Sequence, residues 1–396
     1  MWDATGPPVD ATLDGMKRHV YTDDHEDFRT VVREFVSRDV VPHLDAMRDA
    51  HGMPRETWLA AGRAGLLGLE VPEEHGGAGV DDYRFNAVLF EELARAGAAL
   101  PSMVGIHADV VPPYLVELTT PEQRDRWLPG VASGEILTAI AMTEPTAGSD
   151  LAGIRTFARP DGDGWRLSGS KTFITNGGSA DLVVVAAKTD PGAGSKGVTL
   201  FAVSAQAEGF ARGTVLDKVG QAEADTAELF FDDVRVTEAD VLGEVDRGFV
   251  HLMTFLPQER LGCAVTNLAH ARHHAGLTMD YIRERTAFGR PIGAFQHNKF
   301  LAAEIMTSLD VCQAFVDACV VSHSRGELSA VDAAKAKWWT AQVQSEVLDH
   351  CVQLHGGYGY MNEYPVARAW RDARVSKIWA GSNEIMKEII GRDLGL

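Results

Sequence analysis

The sequence predicts three segregated parts, α then β then α. A helical domain covers residues 24–137, a central β-sandwich or barrel domain 138–246 and a four-helix bundle 247–396, behind a tail at 1–23. Three observations lead there. A chain of 396 residues is longer than one hydrophobic core serves. The spacing of its apolar residues changes period twice, from helical to strand-like and back. Helical and strand patterns also fall in separate blocks instead of alternating, which argues against a doubly wound sheet.

Taken in order, the tail MWDATGPPVDATLDG has no basic stretch followed by an apolar run, and it is acidic. It reads as neither a secretory signal nor a mitochondrial presequence. In HEDFRTVVREFVSRDVVPHL, Phe28, Val31, Val32, Phe35 and Val36 recur at helical spacing. YRFNAVLFEELARAG and PEQRDRWLPGVASGE continue the helical pattern, and PEEHGGAG is a loop by composition. The stretches GWRLSGSKTFITNGGSADLVVVAAKTD, KGVTLFAVS and AELFFDDVRV are short apolar runs cut by turn residues, the pattern of packed strands. Helical spacing then returns. Leu301, Ile305, Leu309, Cys312, Val316 and Cys319 form one apolar stripe, and SAVDAAKAKWWTAQVQSEVLDHCVQLH carries another. The histidines His270, His273 and His274 of HARHH share one helix and read as surface or interface residues.

Composition narrows the functional classes. With 45% apolar and 23% charged residues the chain is that of a water-soluble globular protein. A formal charge of −19 argues against nucleic acid as a partner. No run of 18 or more apolar residues occurs, so no membrane span is expected. Cys263, Cys312, Cys319 and Cys351 have no CxxC or zinc-ligand spacing and read as reduced core residues of a cytoplasmic protein. No histidine lies three residues after a glutamate, so a di-iron centre has no ligand set, and no metal is expected. Walker and Rossmann phosphate motifs are absent.

Three stretches could carry chemistry. AMTEPTAGSDLAGIRT, residues 141–156, is irregular backbone with small hydroxyl residues, suited to a phosphate or to the edge of a ring system. KTFITNG adds an aromatic ring, Phe173, and a hydroxyl, Thr175, so that the two stretches together suit a flat heterocycle. Arg285, Phe288 and Gln296 follow a helix end, and Gly356–Gly357 allow backbone to approach a ligand closely. A fourth stretch, FLPQERLGCAV, sets Glu259 beside Arg260 in an apolar run. A glutamate next to an arginine on a helix is usually solvated.

MTEPTAGSD, FITNG, RTAFGRPIGAFQ, QLHGGYGYMNEYP and GSNEIMKEIIGRD, in that order, resemble the acyl-CoA dehydrogenase family from about residue 24 to 395, and are most similar to its long-chain type. The resemblance implies the family's fold of helical domain, β domain and four-helix bundle. It implies FAD as cofactor and oxidation of an acyl-CoA thioester to the trans-2-enoyl-CoA. An electron-transfer flavoprotein is the implied acceptor, and a homotetramer or dimer the implied assembly. By position, the Met142 backbone and Thr143 hydroxyl meet the flavin pyrimidine edge, Phe173 lies against the isoalloxazine, and Thr175 bonds near N5. Ser149 lies near the cofactor and CoA phosphates. Arg285, Phe288, Gln296, Gln353 and Gly357 reach a neighbouring subunit's FAD, while Ser382 and Glu384 contact the cofactor from the C-terminal segment. Thr146 stands where a glycine is common. An oxygen-using oxidase or monooxygenase of the same fold, or a non-catalytic binding protein, shares most of these features.

The base is the informative departure. Removing the α-proton needs a carboxylate close to that carbon. Many relatives carry it just before the GS or GT near the C-terminus, where this chain has Ala380. In isovaleryl-type and long-chain-type members a glutamate on a bundle helix, just before an arginine, takes its place. LPQERL matches that pattern, so the resemblance makes Glu259 the base and Arg260 its neighbour in the substrate site. It leaves the Ala380 backbone N–H to hold the thioester oxygen.

Overall fold

The computed structural model describes residues 16–396, so most of the expected tail lies outside the described residues. The N-terminal part is helical: α1 (Asp23–Phe35), α2 (Leu44–Ala50), α3 (Arg55–Arg63), α4 (Arg84–Ala96), α5 (Ala99–Gly105), α6 (Pro112–Glu117) and α7 (Pro121–Ser133). On α1, Val32 and Phe35 are buried and Phe28 and Val36 pack against the same core, but Val31 is exposed. The stripe is narrower than expected because Arg29 shares the inward face. Its Nη1 donates to Glu91 and Glu92 of α4 at 2.9 and 2.8 Å, pairing the buried charges. α7 begins on a reciprocal cap: Gln123 N–H donates to Thr120 Oγ1 at 3.3 Å, and Thr120 N–H donates to Gln123 Oε1 at 2.8 Å.

The middle of the chain is one eight-stranded sheet: β1 (Thr138–Ala141), β2 (Phe157–Asp161), β3 (Gly164–Thr175), β4 (Leu182–Lys188), β5 (Val198–Ser204), β6 (Phe210–Val215), β7 (Thr226–Thr237) and β8 (Val241–Leu242). Its order is β6-β7-β3-β2-β4-β5-β8, with β1 pairing parallel to β4. Strands from both ends of this order, including Phe231 and Val234 of β7 and Phe201 and Val203 of β5, close on a single interior. That is the packing of a sandwich or flattened barrel. The other face of β4 and β5, with Val184 and Leu200, packs on Tyr114, Leu128 and Leu252 of the helices. Both faces being covered explains why LVVVAAK runs apolar without alternation.

The C-terminal part is α8 (Gly248–Glu284), a hairpin of β9 (Thr286–Ala287) and β10 (Arg290–Pro291), α9 (Gln296–Ser324), α10 (Ala330–His355), α11 (Pro365–Ala373) and α12 (Asn383–Asp393). By length and composition α9 could cross a membrane. Its stripe of Ile305, Leu309, Cys312, Val316 and Cys319 lies instead in the bundle core. The four cysteines are free.

The histidines of α8 correct the surface reading: His270, His273 and His274 are all buried. α8 is the central helix, packed by α4, α9 and α10, so it has little outer face. Two of the rings meet polar partners inside, while His273 Nδ1 has none among the described residues. His274 Nδ1 bonds the His270 carbonyl at 2.9 Å, and His270 Nδ1 lies 3.1 Å from Gln344 Nε2. Burial pushes the His274 pKa down to about 4, so it is held neutral.

Candidate active site

Glu259 sits on α8, two residues after Pro257, which has no N–H to close a helical bond. It is crowded by protein yet keeps an accessible surface, as a residue lining a recess does. Burial pushes its pKa above the ordinary carboxylate range, against the pull of the Arg260 and Lys337 cations. The charge of Glu259 is felt in turn by Asp109, Tyr114 of α6 and Cys263, whose thiol burial and this carboxylate push up to about 12. Arg260 is 6% exposed, and its Nε has no partner among the described residues. A buried guanidinium without acceptors is costly, which suits a ligand that supplies them.

The segment expected to hold the thioester oxygen lies beside Arg260 and Lys337. Ala380 and Gly381 have φ of 50° and 87°, two successive left-handed residues. Among the described residues no group accepts the Ala380 N–H. A methyl carbon built on Gly381 would lie 4.0 Å from Arg260 Nη2 and 2.6 Å from Met386 Cε, so the turn lies beside the same arginine, and its φ of 87° favours glycine. Lys337 of α10 donates to the Gly381 carbonyl at 2.6 Å. The structure thus gathers Glu259, Arg260 and the Ala380 turn around one locus. Ser382 caps α12, its hydroxyl accepting from Ile385 N–H at 3.4 Å. Glu384, in the first turn of α12, is exposed, and its own N–H and the Ser382 hydroxyl hold its pKa down.

Met142, Thr143, Ser149, Phe173 and Thr175 belong to the β domain. Thr172 N–H donates to the Thr143 carbonyl at 3.0 Å, tying the loop after β1 to the end of β3. The β3–β7 pairing is irregular between Lys171 and Ile174, and there Phe173 has φ 60° and is 67% exposed. A bulky side chain in that backbone region is a strained exception that surrounding structure must hold. The hydroxyls of Thr143, Ser149 and Thr175 have no partner among the described residues.

Sequence reasoning missed what holds this loop. Lys171, fully buried, donates to the Met142 carbonyl at 2.9 Å and to Glu144 Oε1 at 2.8 Å. Glu144 also accepts from the Arg155 and Thr156 N–H groups at 2.6 and 2.9 Å. Burial lowers the Lys171 pKa to about 8, against Glu144, which holds it up. The available signal was a lone acid in MTEPTAGSD and a lone base in GSKTFITNG, each otherwise uncharged up to its last residues.

Arg285, Gln353 and Gly357 do come together, lining a recess of about 410 Å³ with Tyr281, His355 and Tyr358. Phe288 stands at the tip of the β9–β10 hairpin, 96% exposed, and Gln296 opens α9, also exposed. Neither lines the recess, and neither do Met142, Thr143, Ser149, Phe173 or Thr175.

Three family models cover most of the chain: the acyl-CoA dehydrogenase N-terminal domain matches residues 22–135, the middle domain 139–234 and the C-terminal domain 246–395. The chain is 43% identical over 379 residues to a protein named long-chain specific acyl-CoA dehydrogenase, mitochondrial, from Sus scrofa, spanning 95% of this chain and 88% of that one. It is 35% identical to an isovaleryl-CoA dehydrogenase of Oryza sativa, over 96% and 95% of the two chains. The crystal structure of an acyl-CoA dehydrogenase from Geobacillus kaustophilus superposes with a TM-score of 0.94 at 43% identity, over 96% of this chain and all of that one. With three domain models matched in order and relatives alike over nearly their whole length, this chain belongs to the acyl-CoA dehydrogenase family.

Proposed function

We propose that this protein removes two hydrogens from an acyl-CoA thioester to give the trans-2-enoyl-CoA, with FAD bound at the face formed by the 142–149 loop and the end of β3. FAD fits the residues present. Phe173 offers an exposed ring on strained backbone, Thr143, Ser149 and Thr175 offer hydroxyls with no partner among the described residues, and the Lys171–Glu144 pair ties the loop to β3. When bound, the flavin supplies an acceptor for the β-hydride. The chain's own residues do the rest. The Glu259 carboxylate takes the α-proton. The Ala380 N–H donates to the thioester oxygen, where charge develops as that proton leaves. Arg260 supplies a buried cation beside the reacting group. The electron pair of the α C–H bond stays behind and becomes the π bond as the proton goes to Glu259 and the β-hydrogen leaves as hydride.

One observation carries this reading: a glutamate whose ionised form burial disfavours lies with the cations Arg260 and Lys337 beside a strained turn whose N–H has no acceptor among the described residues. By resemblance, electrons pass on to an electron-transfer flavoprotein, and the protein assembles as a homotetramer or dimer. Anaerobic mixing of the FAD-loaded protein with a panel of acyl-CoAs tests the function. Bleaching of the flavin by at least one of them, with slow reoxidation in air, is expected. Rapid reoxidation by oxygen would point to an oxidase, and a protein that takes up no FAD would end the reading. Glu259→Gln should keep FAD and bind acyl-CoA but reduce the flavin roughly 10²-fold or more slowly.

A further inference from the structure

Lys337 is a helix lysine with no exposed surface at all. Burying an ammonium is unfavourable unless its hydrogen bonds are met. Ala333, Ala334, Ala336 and Ala341 near it on α10 are buried too, and another segment closes over the lysine. That segment is the turn 380–383. The ammonium donates to the Gly381 carbonyl at 2.6 Å and reaches Asn383 Oδ1 at 3.4 Å. Asn383 is itself buried, and its amide donates to the Trp338 carbonyl at 3.4 Å, so one turn of α10 staples the segment twice.

The turn needs a staple. Ala380 at φ 50° is disfavoured for an L-residue, and Gly381 follows it at 87°. Released, Ala380 would relax toward negative φ, and its N–H would swing with the peptide plane. A charge-assisted bond at 2.6 Å is stronger than a neutral one and suits this task. The same cation lies close enough to Glu259 to favour its ionised form.

We propose that Lys337 is a positioning residue for the reaction: by clamping the Gly381 carbonyl, its ammonium fixes the left-handed Ala380–Gly381 turn and so aims the Ala380 N–H at the thioester oxygen. This rests on the role given to Ala380 above. A lysine that merely fills its burial site would leave the turn and the chemistry alone when replaced by a neutral side chain of similar length.

The test uses FAD-loaded protein and an acyl-CoA whose β-carbon is replaced by sulfur. Such a thioester loses its α-proton but has no β-hydride to give, so the charge-transfer absorbance of its bound enolate reports stabilisation of the oxygen. In Lys337→Met we expect FAD and acyl-CoA affinities within about threefold of the parent, with at least a roughly 10-fold loss in the enolate-forming equilibrium and in the rate of flavin reduction. Amide exchange at residues 379–383, measured without FAD or substrate, should quicken about 10-fold. Lys337→Gln, which keeps a neutral donor, is expected to fall between parent and Met variant, and is read alone should the Met variant fail to fold. A parent that forms no enolate overturns the Ala380 reading and this proposal with it. A parental enolate that persists undiminished in the folded variants, or exchange at 379–383 that does not change, overturns the role of Lys337 only.

Discussion

In the proposed reaction Glu259 takes the α-proton, and its setting then fixes how activity depends on pH. Burial disfavours the charged carboxylate, while Arg260 and Lys337 pull the other way, and the balance leaves the pKa above the usual glutamate range. Proton abstraction needs the ionised form. The flavin-reduction rate should therefore be level at high pH and fall as pH drops through an inflection above the ordinary value of about 4.3. In Lys337→Met, which removes one stabilising cation, the inflection should lie higher still. Anaerobic stopped-flow traces across pH, with bound FAD monitored, give both curves. An inflection at or below the ordinary range would remove Glu259 from the role. This residue was legible in the sequence only as one of a pair: a carboxylate in LPQERL gains meaning from the side chain missing at Ala380. Lys337 was not legible. A lysine in AAKAKWW reads as a solvated helix face, and only the closing turn shows that it points inward.

At the level of elements, α8 is where periodicity predicts least. Apolar spacing located it, but a helix packed on nearly every side carries no polar face, so its histidines and Gln258 had to be placed by packing. Gln258 binds two acids at once. Its Nε2 donates to Glu70 Oε1 at 2.6 Å, to the Asp109 carbonyl at 3.0 Å and to Asp109 Oδ1 at 3.2 Å. Burial, reinforced for Glu70 by Asp109, raises the pKa of Glu70 to about 8 and of Asp109 to about 7. A carboxyl raised in the folded state binds more protons than in the unfolded chain. Its cost is absent below the unfolded pKa of about 4, grows as pH rises from there toward the folded pKa, and is full above it. Asp109→Asn keeps an oxygen for Asn86 and Gln258, so it should raise the melting temperature at pH 8 by roughly 2 °C or more and by clearly less at pH 5, where only part of the cost has developed. Equal shifts at both pH values would contradict this origin. The loop after β1 allows the opposite experiment. Lys171→Met strands Glu144 in the interior, and losing one partner of a buried pair costs about 3–5 kcal/mol. The loop should loosen, and FAD should bind at least about tenfold more weakly by fluorescence titration. Unchanged affinity would separate the loop from the cofactor. Both strands and loop were legible as types, from the turn residues and apolar runs. The charge pair was not, because it joins positions 27 apart that only the β3 register brings together.

Across the whole molecule, the residues assigned to one cofactor, apart from Ser382 and Glu384 at the start of α12, divide into two sets on a single protomer. One set lies on the β domain, and the other lines or borders the recess of Arg285, Gln353 and Gly357. A second copy of the chain joins them if the recess and the hairpin beside it face its β domain. The hairpin tip shows the strain such an arrangement would relieve. Phe288 and Gly289 have φ of 51° and 78°, a two-residue turn that favours asparagine and glycine. A phenylalanine there is disfavoured by its backbone and also leaves its ring almost wholly in water. Both penalties are offset when the ring is buried against another subunit. Phe288→Asp removes the ring from a position with no interior role, so the protomer should fold with its circular dichroism unchanged. Sedimentation should then show a smaller assembly than the parent, and FAD should dissociate on dilution, since the second set of contacts is lost with the neighbour. A parent that sediments as a monomer while retaining FAD would place Arg285, Phe288, Gln296, Gln353 and Gly357 outside the cofactor site, and a Phe288→Asp protein of parental size and FAD retention would remove the hairpin from the interface.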